Sequence, residues 1–303
     1  METEHLLFND NELNPISSAE LEEDDLQTVD LYVECTRHIM ELHGLLLSFL
    51  FNIKELQKRY TLLFSGTVIA DGKPADTYDD YIVINALTTR IISAGVTLTN
   101  ALQSYITAHL TEEGKDNYVS FCSNIYDNVF EYRLMVNMRN FAQHGHLPVD
   151  LQNHKYCFDL HQFMTRPHFH IKSSFKEEIN AFAEEIIRIY EDTPTFSYTS
   201  TLARYVEKVL LIYKQFYEII KDQFEETYKK SMIIIKKYPE GIAADKTTFI
   251  YKNDKGEEHV ILSFDQAMET FFENCKAANK YWEEYKEAAD NIFDGTIALS
   301  FKV

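Results

Sequence analysis

Over stretches of thirty and more residues, apolar side chains recur three and four positions apart with almost nothing to interrupt them. That period puts them on one face of an α-helix, and the length of each run predicts long helices rather than strands. The first run covers residues 26 to about 63, on Val29, Val33, Ile39, Met40, Leu46, Leu47, Leu50 and Ile53. The second covers about 78 to 110, on Ile82, Ile84, Leu87, Ile91, Val96, Leu98, Leu102 and Ile106. A third is predicted over 116–143, with Val119, Cys122, Ile125, Val129, Tyr132, Met135 and Val136 inward. Further helices are predicted over 176–190, 200–238 and 265–292.

The breaks are few because the chain has only 9 Gly and 6 Pro in 303 residues, and these are the residues that punctuate regular structure. A loop is expected over 65–77, and Gly114 separates the second helix from the third. Gly145 is a candidate left-handed cap, with Pro148 stopping the chain from turning helical again. Thr193-Pro194-Thr195 marks a further break. Short strands are expected around Tyr156-Cys157-Phe158. A β-hairpin is expected from 247–252 and 259–264, turning at Asn253-Asp254-Lys255-Gly256. The expected fold class is all-α, a long-helix bundle with a minor β-hairpin near the C-terminus. The chain then has three regions: an acidic leader over 1–25, a helical domain over 26–195, and a C-terminal helical extension carrying the hairpin over 196–303.

The net charge is −19, and residues 1–30 hold ten of the 48 acidic residues and none of the 29 basic ones. Such a chain does not draw nucleic acid through its overall field, so any reading that involves RNA needs a locally basic site or a basic partner. The four cysteines, Cys35, Cys122, Cys157 and Cys275, have no paired spacing. They read as reduced thiols rather than a disulfide frame or a zinc site. The N-terminus has no signal-peptide pattern. The longest apolar run, residues 45–51, is too short for a bilayer span. The expected compartment is the cytoplasm, with no membrane partner.

Chemistry concentrates at the end of the third predicted helix. Arg37 is followed by His43 after five residues, and Arg139 by His144 after four and His146 after six. His43 lies inside an apolar helical pattern and reads as an ordinary helix histidine. His144 falls at a helix end, where the carbonyl dipoles favour a cation. Asn140, four residues earlier, shares its face. Arg139, five residues earlier, is about 140° around the helix, an angle its long side chain or a partner subunit must bridge.

The stretch Met138-Arg139-Asn140-Phe141-Ala142-Gln143-His144-Gly145-His146-Leu147-Pro148-Val149 resembles the motif of the HEPN superfamily: Arg, commonly a polar residue, then His after four to six residues. The match covers about a dozen residues, and the C-terminal hundred lie outside it. The resemblance implies a helical core that dimerises to bring two motifs into one cleft. It also implies metal-independent cleavage of RNA in a toxin or antiviral-defence role, with an antitoxin or defence-system protein as a further partner. Arg139, Asn140 and His144 would then be the catalytic residues and His146 an auxiliary one. No cofactor and no metal are expected. The residue types suit the reaction. Imidazoles exchange protons near neutral pH, a guanidinium can fork onto two oxygens of a charged phosphorane, and use of the 2′-hydroxyl restricts the substrate to RNA.

Other groupings are weaker. His168 and His170, with His154 and His161 nearby, lack a carboxylate or cysteine spaced to complete a metal shell. Lys229, Lys230, Lys236 and Lys237 read as a helix end complementing its carbonyls. The aromatic series from Tyr213 to Tyr228 reads as core. No phosphate-binding glycine loop, His-Glu-x-x-His or Gly-x-Ser-x-Gly is present. The alternative to an enzyme is a non-catalytic helical module that uses the same face for dimerisation or for holding another protein.

Overall fold

The structure, a computed structural model, describes residues 5–9, 15–20, 22–63, 65–165, 172–190, 195–235, 237, 247–252 and 258–293. In chain order the elements are β1 (His5–Asn9), β2 (Pro15–Glu20), α1 (Glu23–Arg59), β3 (Thr61–Leu62), β4 (Val68–Ala70) and β5 (Lys73–Pro74). Then come α2 (Tyr78–His109), α3 (Glu112–Asn128), α4 (Phe130–Gln143), β6 (Asp150–Gln152), β7 (Lys155–Asp159) and α5 (Leu160–Thr165). The remainder is α6 (Ser173–Tyr190), β8 (Thr195–Ser197), α7 (Tyr198–Ile235), β9 (Thr247–Lys252), β10 (Glu258–Ser263) and α8 (Phe264–Phe293). The protein is thus mostly helical with small antiparallel sheets, as the long apolar periods predict.

The chain divides into two compact units, one from Met1–Gly44 with Gln215–Ala278, the other from Leu45–Lys214 with Asn279–Val303. Each is assembled from two stretches of chain, where the sequence reading divides it consecutively, and the partition falls inside α1, α7 and α8. The first unit contains a four-stranded sheet in the order β10-β9-β1-β2. The hairpin read from sequence is therefore one half of a larger sheet. The other half comes from the acidic N-terminal stretch, with Leu6 opposite Phe249 on one side and Ala19 on the other. Beside it, Tyr32 on α1 lies 5.6 Å from Phe224 on α7, which stacks on Phe271 of α8 at 4.2 Å.

The second unit is built around α2. Thr77 caps it by accepting the N–H of Asp80, and Asp79 and Asp80 sit where the dipole favours anions. Ile84, Ile91, Ile92, Leu98, Leu102 and Ile106 are fully buried. Towards α7, Thr88 Oγ1 and the Tyr198 hydroxyl are 2.8 Å apart, and the Tyr205 hydroxyl donates to the Ile92 carbonyl at 3.0 Å. Among the described residues α2 alone has the length and apolar composition of a bilayer span, and half of its most apolar window is buried within the protein. Core packing accounts for that apolarity. The sequence reading passed over it because uncharged Thr, Ser and Asn residues interrupt the apolar run.

Three expectations are corrected. The third helix is two helices, α3 and α4, parted at Val129 (φ −115°, ψ 99°). Arg133 stabilises the break, its Nη1 donating to the carbonyls of Tyr126 and Asp127 in the last turn of α3, which would otherwise lack partners. Its Nη2 pairs with Glu178. On α3 the buried face is that of Tyr118 and Ile125, and Val119, expected inward, is 41% exposed. Met40, Leu47 and Ile82, read as core-facing, are also exposed.

Candidate functional site

The candidate residues sit where α4 ends. Leu134, Met135, Met138 and Phe141 are buried and fix the inner face of the helix. Phe141 meets Phe163 of α5 edge-on at 5.5 Å. His144 is the C-cap, its N–H donating to the Asn140 carbonyl at 3.1 Å and the Phe141 carbonyl at 3.2 Å. Gly145 comes next at φ +84°, the left-handed conformation its missing Cβ permits. Its N–H donates to the Ala142 carbonyl at 3.0 Å, and the His146 N–H to the Phe141 carbonyl at 3.4 Å. This pair of bonds is a Schellman cap, whose usual companion is an apolar contact between the residue after the glycine and the helix's last inner residue. Here that contact is the His146 ring against Phe141, 4.6 Å between centroids.

The cap gives each candidate a distinct environment. His144 and Asn140 are exposed, one turn apart. His146 is half-buried, and its Nε2 is buried with no hydrogen-bond partner among the described residues. Arg139 is half-buried, and its Nε likewise has none. Burial pushes the Tyr205 hydroxyl well above its ordinary pKa. Tyr132 adds to this, while the positive charge of Arg139 opposes it. Arg139, Asn140 and His144 lie within about a turn and a half of helix but differ in environment: the arginine is half-buried while the other two are exposed.

The loop beyond the cap is pinned by a residue that no sequence signal singled out. Asn85 of α2 is fully buried. Its Nδ2 donates to the Val149 carbonyl and its Oδ1 accepts the Val149 N–H, both at 2.9 Å. Pro148 and Val149 are buried beside it, so the chain leaving His144 has a fixed path. In sequence Asn85 is only a polar residue in an apolar helix.

His154 is exposed and its Nδ1 lies 2.6 Å from Asp76 Oδ2. His168 and His170 lie outside the described residues. His43 is half-buried on α1, and burial lowers its pKa. The four cysteines are free thiols. Compared with protein-family models, curated proteins and solved structures, the chain has no match.

Proposed function

We propose that this chain is a HEPN-type, metal-independent endoribonuclease of the cytoplasm, acting in a toxin or antiviral-defence setting. It works as a homodimer that brings two copies of the motif to one cleft and is held in check by an antitoxin or defence-system protein. The observation that carries the reading is the end of α4. A Schellman cap presents the His144 imidazole at an exposed helix terminus, one turn beyond exposed Asn140 and five residues beyond Arg139, whose buried Nε has no partner among the described residues. In the reaction one imidazole takes the 2′-hydroxyl proton as that oxygen bonds to phosphorus. The bond from phosphorus to O5′ breaks, and the second motif's imidazole protonates the departing O5′. The guanidinium balances the charge gathering on the phosphoryl oxygens. Asn140 orients the phosphate.

Two observations favour the module reading as a second choice: the net charge of −19 and the partial burial of Arg139. The test is purified protein incubated with total RNA in chelator. The wild type is expected to yield fragments ending in 2′,3′-cyclic phosphate, and His144→Ala to slow this by about 10²–10⁴-fold with unchanged circular dichroism. Undiminished cutting by the variant, or none by the wild type, ends the nuclease reading and leaves the module.

A further inference from the structure

Within the second unit, α2, α3 and α4, with Ile212 of α7, line an open cavity of about 260 Å³. Val96, Val136, Ile212 and the ring of Tyr132 give it apolar lining, and Tyr126 supplies a second ring. Asn100 and Gln103 from α2 and Asp127 from α3 add two amides and a carboxylate. No Lys, Arg or His lines it. Its volume falls just below the roughly 300–1,000 Å³ typical of drug-sized ligands.

That chemistry narrows the ligand. An anion is disfavoured, because the one charged lining group is a carboxylate. A flat, uncharged heterocycle with donors and acceptors on its edge fits, since aromatic rings stack on its faces while amides and a carboxylate read its edge. The cavity also aligns with the motif. On an ideal helix Arg139 is only about 20° around from Tyr132, and Gln143 about 20° from both Tyr132 and Val136. The rise from Val136 is about 5 Å to Arg139 and about 12 Å to His144, distances that one or two nucleotide units span. Tyr132 stacks on Tyr205 of α7 at 5.8 Å.

Resting on the ribonuclease reading, we propose that this cavity takes one unstacked base of the RNA, with a neighbouring phosphate at Arg139, and so sets which sequence is cut. The cavity reads the base, and the helix end handles the backbone.

The test reads binding rather than cleavage. Protein labelled at Val and Ile methyls is titrated with adenosine, guanosine, cytidine, uridine and, as the anionic control, ribose 5-phosphate. At least one nucleoside at millimolar concentration is expected to shift the methyls of Val96, Val136 and Ile212, while ribose 5-phosphate leaves them in place. Val136→Phe, which fills the space, should abolish the shifts at Val96 and Ile212. Asn100→Ala, at an exposed α2 position, keeps the test alive if the Phe variant does not fold, and should weaken binding several-fold. No nucleoside-dependent shift at these methyls, or the same affinity in both variants, overturns the cavity assignment. Nucleoside binding without RNA cleavage removes the nuclease and keeps the base site. Cleavage without nucleoside binding does the reverse.

Discussion

Both ends of the Asn85 side-chain amide are engaged by the Val149 backbone, in a place solvent does not reach. Deleting that amide strands a buried N–H and a buried carbonyl, at about 1–3 kcal/mol for each group left unsatisfied. Asn85→Ala is therefore expected to lose at least that much stability in urea denaturation; a change under about half a kcal/mol, the range of an inert surface substitution, would show the clamp is dispensable. At this scale the sequence located the candidate motif and its cap, because Gly145 and Pro148 carry local signals. It did not find Asn85, which acts across 64 residues on a backbone rather than on a patterned side chain. Periodicity separates Arg139 from Asn140 by about 100° around the helix, but it does not show that the first is half-buried and the second exposed.

Between helices, α2 comes close to its neighbours at Gly95. A Cβ built there would lie 2.4 Å from the Tyr205 hydroxyl and 3.1 Å from the Phe49 ring. Gly95→Ala gains helix propensity but overpacks this contact, which costs about 1–3 kcal/mol. The midpoint of thermal unfolding should fall accordingly. Adding Tyr205→Phe, which removes the colliding oxygen, should recover part of the loss despite giving up the bond to the Ile92 carbonyl. Strictly additive losses would mean that the hydroxyl is not the obstacle. The positions of the long helices were legible because period and caps agree, as at Thr77 before α2. The break between α3 and α4 was not. No glycine or proline stands at Val129, and the stabilising donor, Arg133, belongs to the next helix. The exposed apolar residues of α1 misled the reading for a related reason, since a helical period shows that a face exists but not that anything covers it.

For the whole molecule, the sheet of the first unit is the feature least visible from sequence. The N-terminal acidic stretch has no strong alternation, and β1 is held by a partner strand some 240 residues away. Since β1 covers one edge of β9, a chain lacking residues 1–20 presents that edge to other molecules. Light scattering should then show larger species at concentrations where the full chain is uniform. A truncated protein that stays uniform and melts unchanged would show that β9 needs no cover.

The same pairing sets an order of events during synthesis. β1 leaves the ribosome early, but β9 begins only at Thr247. At about 5–20 residues per second, β1 waits roughly 10–50 s for its neighbour, with only β2 beside it. A lone two-stranded ribbon is marginal in water, so this stretch stays unsettled while Leu45–Lys214 is already available to fold. The residues of β1, made well before their partner strand, are among the last to take their place.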